Sequence, residues 1–166
     1  AVQNGIKMAK GSYILIQDGD LEYNPDDILQ MCKAVSSFDK ISVYGSRYKP
    51  LLLNIIPKFV KNQNFSSYLA NILFMFLFIF LYARFISDSL TGYKLYSREF
   101  FMNNTINSMG FEADHEITAK LIKQKYKIIE IPVSYKPRTK EEGKKINFFD
   151  ALKAIVAIIK YRFINK

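Results

Sequence analysis

At 166 residues with 49% hydrophobic content, the chain suffices for one domain with a real core and is too short for two comfortable ones. Its net charge of +9 predicts an anionic partner, and charge alone leaves nucleic acid, acidic lipid headgroups and phosphorylated substrates open. A single cysteine and a single histidine exclude a disulfide framework and leave a histidine-rich metal site or a Ser-His-Asp arrangement little to stand on.

The opening AVQNGIKMAKG lacks the basic, apolar, small-residue pattern of a secretion signal. Ala1 to Lys10 has helical character and Gly11 stands where a helix stops, so the chain is expected to begin inside a domain, on the tail of a helix. Tyr13 to Gln17 is a β-rich apolar run, and Asp18-Gly19-Asp20 follows it directly. Carboxylates one residue apart on a turn can both point at one hard cation, and Glu22 can add a third oxygen; a solvated Asp-Gly turn is the plainer reading. Asn24 and Pro25 then read as N-cap and first helical residue of a helix to Ser36, with Asp26 and Asp27 favourable in its first turn and Cys32 as an apolar filler.

Ile41 to Tyr44 is a short strand running into Gly45-Ser46-Arg47. If the two strands are parallel neighbours, Arg47 is on the same edge as the carboxylates; a surface salt bridge is its plainer reading. Residues 48–66 carry Pro50, Pro57 and several Lys and Asn and are expected to be a mobile loop with at most one helical turn. Tyr68 to Ile86 is uninterrupted by charge until Arg84. A span wants about 20 apolar residues, and a buried or membrane-surface helix is preferred to one. Gly92 breaks the pattern of ISDSLTGYKLYSREFF, and Tyr93 to Tyr96 alternates as a strand. Glu112 to Gln124 is helical; Lys127 to Tyr135 is a strand placed at an edge or bulge by Pro132; a basic loop, Lys136 to Lys145, and an amphipathic helix, Phe148 to Phe163, complete the chain. The order predicts an α/β fold with a mostly parallel sheet and flanking helices, the acidic loop lying at a carboxyl edge, where such sheets bind ligands.

Five segments, YILIQDGDLEYNPDDI, VYGSRY, ISDSLTGYKLYSRE, FEADHEITAKLIKQKYKIIEIPVSYKPRT and EEGKKINFFDALKAI, resemble family 2 glycosyltransferases of the Rossmann-like GT-A fold, in the branch of dolichyl-phosphate mannose synthases and polyprenyl-phosphate glycosyltransferases. The resemblance implies one domain over 1–166 that lacks its N-terminal part, with a metal and donor half at 1–47 and an acceptor and membrane-facing half at 48–166. It implies a nucleotide-sugar donor whose diphosphate is bridged by Mg²⁺ or Mn²⁺ to Asp18 and Asp20, with Glu22 completing the shell, and transfer with inversion to a polyprenyl (dolichyl or undecaprenyl) phosphate.

A phosphate acceptor is anionic near neutral pH, its second pKa being about 6, so it needs cationic clamping more than a base. Arg47, Arg138, Lys144 and Lys145 are the candidates, a planar guanidinium being able to hold phosphate bidentately; a solvated basic loop is the alternative. Asp88 matches the acidic residue that the resemblance assigns to acceptor activation or placement, and N-capping of the turn before Thr91-Gly92 is its structural alternative. Glu112 and Glu116 fall where the family keeps acidic residues flanking the site. Gln63 and Asn64 stand where the family commonly has Arg. The nucleobase residues of the family should precede Ala1 and are unassigned here.

A sheet without its first strands exposes an edge, which predicts pairing with a missing N-terminal segment or a homo-oligomer. Activity of this chain alone is expected to be absent or weak. Localisation is expected to be cytoplasmic and peripheral at a membrane surface. A non-catalytic membrane-surface module is the other class in view. Nucleic acid is not expected as a partner, since no helix-turn-helix, zinc or stacking-platform pattern is present.

Overall fold

Over the residues that the computed structural model describes, 2–35, 40–48, 64–138 and 148–164, the chain forms four strands and six helices. In chain order they are α1 (Val2–Met8), β1 (Tyr13–Ile16), α2 (Asp27–Ala34), β2 (Ile41–Ser46), α3 (Phe65–Tyr82), β3 (Lys94–Ser97), α4 (Arg98–Asn103), α5 (Glu112–Lys123), β4 (Lys127–Pro132) and α6 (Phe148–Phe163). The strands make one sheet in the order β1-β3-β2-β4. β3 is antiparallel to both β1 and β2, and β4 is parallel to β2, so three of the four strands run the same way.

The mixed sheet keeps the expected α/β class and corrects one detail of it, because β1 and β2 are not neighbours. The segment before β3 crosses the carboxyl ends of the other strands, where the Gly45 N–H donates to the Tyr93 carbonyl at 2.9 Å. β3 therefore enters the sheet at that end, pairs Lys94 with both Ile16 and Tyr44, and runs back down between them. β4, which ends at Pro132, is an edge strand, where the proline's missing N–H costs nothing.

Strand alternation divides the core into two layers. Val43, Leu95 and Ile129 point to one face, where Met31 of α2 covers them. Ile14, Tyr44 and Tyr96 point to the other, under Phe74 and Phe78 of α3, Ile117 and Leu121 of α5 and Ile158 of α6. Cys32, expected as a filler, is exposed; Met31, one position earlier, holds the buried place. The strand expected over Tyr93–Tyr96 runs from Lys94 to Ser97, and Ser97 leads into α4, which buries Phe100 and Phe101.

The apolar helix α3 is 18 residues long with mean hydropathy 1.9, enough by length and composition to cross a membrane. Its extent is about 27 Å at 1.5 Å per residue, against a hydrocarbon core of about 30 Å. Asn71, Phe74, Met75 and Phe78 are buried on one side, and Phe65, Leu69, Leu73, Phe76 and Phe80 are exposed on the other. The helix stops four residues before the expected Ile86 because Ala83 turns left-handed (φ 52°), with the Ala83 and Arg84 N–H groups donating to the Ile79 and Phe78 carbonyls.

Two buried titratable groups on α5 tie this core to pH. His115 packs on the Phe74 ring at 4.6 Å, and burial with the nearby Lys94 charge lowers its pKa to about 3. Glu116 is held down to about 2: burial opposes its charge, but Lys120 and the N–H groups of Asn107 and Ser108 outweigh that. For both groups the unfolded chain binds the extra proton, so stability is complete above the unfolded pKa and falls as pH drops below it, first near 6.5 for His115. Asp18 and Glu130, whose pKa values are raised, act in the opposite sense at lower pH. Urea unfolding at pH 7 and pH 5 is expected to show a loss that steepens toward about 1.4 kcal/mol per pH unit, and His115→Phe removes that slope. An unchanged slope in the variant contradicts the assignment.

Candidate active site

The turn 87–92 assembles the site. Glu130, at an inward position of β4, accepts the Ser87 N–H at 2.9 Å, the Ser87 hydroxyl at 2.9 Å and the Asp88 N–H at 3.0 Å. Ser87 is further fixed by the Ser46 hydroxyl at 2.8 Å and by Asn71, whose amide donates to the Ser87 carbonyl at 2.6 Å. Burial pushes the Glu130 carboxyl up, its three donors pull it down, and the Asp88 charge adds to the rise.

Asp88, so placed, is fully enclosed and accepts three hydrogen bonds from Arg47: the backbone N–H at 2.9 Å, Nε at 2.8 Å and Nη2 at 2.7 Å. Burial alone depresses a guanidinium, yet the Asp88 charge prevails and holds Arg47 well above its usual value. The same guanidinium lies 5.0 Å from the Tyr135 ring and 5.4 Å from the Tyr48 ring, so its plane is fixed from three sides. The carboxylate expected to activate or place the acceptor thus faces Arg47 and is absent from the cleft wall. Arg47 itself lines that cleft.

The acidic loop is held from the other side. Tyr23 pairs with Tyr135 in an isolated bridge, stacks on Tyr93 at 4.6 Å, and accepts the Gly92 N–H at 2.8 Å. Leu21 takes the left-handed conformation (φ 60°) with its side chain in solvent, which turns Glu22 inward. Glu22 then accepts the Arg138 backbone N–H at 2.9 Å and Arg138 Nε at 3.4 Å on one oxygen, and the Tyr135 hydroxyl at 3.1 Å on the other. The Arg138 Nη2 reaches Asp20 at 2.8 Å across 118 residues of sequence. Glu22, expected to complete a metal shell, lines the cleft with Asp18 and Asp20 and fastens the acidic loop to the 135–138 segment.

These contacts enclose a cleft of about 460 Å³ whose walls include Asp18, Asp20, Glu22, Arg47 and Arg138 together. Apolar side chains line it too, Ala70 and Phe74 of α3, Leu90, Phe111, and Ala151 and Ala154 of α6, together with Asp150 of α6. Ser67 also lines it, while Asn64 caps α3 by accepting the Ser66 N–H at 3.0 Å. Lys144, Lys145 and Gln63 lie outside the described residues.

Among the described residues no group of three or more His, Cys, Asp and Glu side chains is gathered to hold a metal ion. The donor chemistry nonetheless suits a hard divalent cation held by two carboxylates, with the rest of its shell from phosphate and water. Asp18 is raised by burial first, then by the like charges of Asp20, Asp114 and Glu22, with Lys94 opposing. A Cβ on Gly92 would come within 2.5 Å of Asp18 Oδ2, so the glycine makes the seat for that carboxylate.

Two acids lining the cleft, Asp114 and Asp150, were not singled out by sequence. Asp114 of α5 faces the cleft and pairs with the buried Lys94 ammonium at 3.1 Å. Glu112 and Glu116 lie two residues to either side, about 200° around the helix, and neither lines the cleft. Glu130 was missed as well, although a lone acid in the apolar strand KIIEIP is a signal.

A model of the family described as glycosyl transferase family 2 matches residues 1–104. Glycosyltransferase AglJ of Haloferax volcanii is 26% identical over 127 residues, covering 76% of this chain and 39% of that protein. A dolichol-phosphate mannosyltransferase of Pyrococcus furiosus is 29% identical over 168 aligned positions, covering 97% of this chain and 44% of that protein. An uncharacterized protein of Methanocaldococcus jannaschii is 29% identical over 142 residues, covering 81% and 58%. The chain therefore spans roughly half the length of the curated relatives it matches.

Removing Asp88 leaves the Arg47 guanidinium buried without its partner. Asp88→Ala is expected to cost about 3–5 kcal/mol in chemical denaturation. A loss below about 1 kcal/mol, the range of an exposed pair, contradicts the buried geometry.

Proposed function

The chain belongs to glycosyl transferase family 2, and from that premise we propose that its cleft transfers a sugar from a nucleotide-sugar donor to a polyprenyl phosphate, with inversion and with a divalent metal bound. The observation that carries this reading is the convergence of Asp18, Asp20, Arg47 and Arg138 on a single cleft whose lining also includes the apolar Ala70, Phe74, Leu90, Phe111, Ala151 and Ala154. A lipid phosphate needs that combination, with cations for its headgroup and an uncharged groove for the first part of its chain.

Asp18 and Asp20 are the residues to hold Mg²⁺ or Mn²⁺, which when bound offsets the charge that develops on the departing nucleoside diphosphate. Arg138, about one-third exposed, neutralises Asp20 through a contact of modest strength. It can exchange that carboxylate for a phosphate oxygen at small cost. Arg47 cannot move in this way, because Asp88 holds it bidentately; it offers its outer edge to the acceptor phosphate from a fixed position.

The acceptor oxygen forms the new bond to the anomeric carbon as the bond from that carbon to the donor's diphosphate oxygen breaks, from opposite faces. The electron pair leaves with the nucleoside diphosphate. No proton has to be removed from a phosphate dianion, so Asp88 acts by positioning Arg47. Were the acceptor a hydroxyl, Asp114 and Asp150 are the carboxylates outside the acidic loop that line the cleft and could serve as base.

Membrane-surface attachment through α3 and α6 belongs to the same proposal. The helices pack together and expose the stripe Phe65, Leu69, Leu73, Phe76 and Phe80 beside the stripe Phe149, Leu152, Val156, Ile159 and Phe163. Lys153, Lys160 and Arg162 flank the second stripe, and these suit anionic headgroups.

The test is transfer of radiolabelled hexose from a panel of GDP- and UDP-sugars to polyprenyl phosphate in anionic vesicles with Mn²⁺. Asp18→Asn and Asp20→Asn are expected to lower transfer by on the order of 10²-fold. Phe80→Glu with Val156→Glu is expected to abolish flotation with the vesicles while leaving donor binding intact. Transfer that survives loss of both carboxylates contradicts the proposal.

A further inference from the structure

We propose that His115 is a specificity residue that hydrogen-bonds a hydroxyl of the transferred sugar, an inference that rests on the glycosyl-transfer reading. Three observations converge on it. His115 lines the cleft wall beside Asp114, in the same cavity as Asp18, Asp20 and Gly92. Its side chain is wholly enclosed, and neither Nδ1 nor Nε2 has a hydrogen-bond partner among the described residues. Its surroundings are aromatic, the Phe74 ring at 4.6 Å and the Phe78 ring at 6.2 Å.

An imidazole with both nitrogens unsatisfied is an expensive core filler, and a phenyl ring would fit the slot between Phe74 and Phe78 without that cost. The cost is recovered if a partner arrives with the ligand. Buried and beside the Lys94 charge, the ring stays neutral. A neutral imidazole offers one donor and one acceptor, the complement of a sugar hydroxyl and a poor match for a diphosphate. A hexose carried on a diphosphate at Asp18 and Asp20 has to occupy the remainder of the same cleft, whose lining includes His115. Because the ring is enclosed, contact requires Phe74, which packs on the imidazole and also lines the cleft, to give way.

The experiment compares native chain, His115→Phe and His115→Gln by isothermal titration in Mn²⁺. The probes are GDP and UDP and their mannose, glucose and galactose conjugates. The native chain is expected to bind one sugar conjugate more tightly than its bare nucleoside diphosphate. His115→Phe is expected to lose about three- to tenfold of affinity for that conjugate and none for the nucleoside diphosphate, and His115→Gln to restore part of it. The ligand-free Tm of His115→Phe is expected to rise, since the orphaned nitrogens are gone; a merely structural histidine predicts a fall in Tm with sugar discrimination unchanged.

Equal binding of the conjugate by native chain and His115→Phe overturns the inference. So does nucleoside diphosphate binding to which the sugar adds nothing, an outcome that leaves the glycosyl-transfer reading standing. Failure of every nucleotide to bind overturns that reading, and this inference with it.

Discussion

A guanidinium buried against a carboxylate sets the geometry of this molecule. Arg47 is gripped by Asp88 through two side-chain bonds and one backbone bond, and Asp88 is itself oriented by Glu130 through the turn that it caps. Neither Arg47 nor Asp88 could sit there alone, since a buried charge costs several kcal/mol unless it is paired and hydrogen-bonded. The turn that they fix then continues to Gly92, whose N–H is held by Tyr23 and against which Asp18 rests. One rigid turn thus couples the cationic wall of the cleft to its anionic wall.

The two arginines differ in a way that suits two tasks. Arg47 is fixed and enclosed, a charge whose position does not depend on ligand. Arg138 is partly exposed and shares Asp20 and Glu22, so its partners can change when other charges enter. Local rules are broken around this cleft: Leu21 adopts left-handed backbone, His115 is unsatisfied, and Asp18 lies among like charges. Such violations gather at sites that bind something, because bound ligand supplies what the isolated fold lacks.

Much of this was legible in the sequence. Strand, acidic loop and helix over 13–34 were plain from β-propensity and adjacent carboxylates, although the helix starts at Asp27 behind Asp26 and not at the expected Asn24-Pro25, and the family resemblance pointed to Asp18, Asp20, Arg47 and Arg138 before any geometry. What could not be read was long-range. The place of β3 between β1 and β2 depends on where turn 87–92 crosses the sheet, and that turn is held by Glu130 from 42–43 residues away. The roles of Asp88 and Glu22 followed from partners supplied by other segments, so a carboxylate in a suitable motif was legible while the direction in which it pointed was not. On α5 the choice among Glu112, Asp114 and Glu116 turns on helical phase, which requires knowing which face meets the cleft.

The most direct test of the account is crystallography with Mn²⁺ and a nucleoside diphosphate, locating the metal by anomalous scattering. The account predicts one peak shared by the Asp18 and Asp20 carboxylates, with the diphosphate beside it, Arg47 still on Asp88, and the Arg138 guanidinium withdrawn from Asp20. A metal bound elsewhere, or no metal with the Arg138–Asp20 contact unchanged, contradicts it.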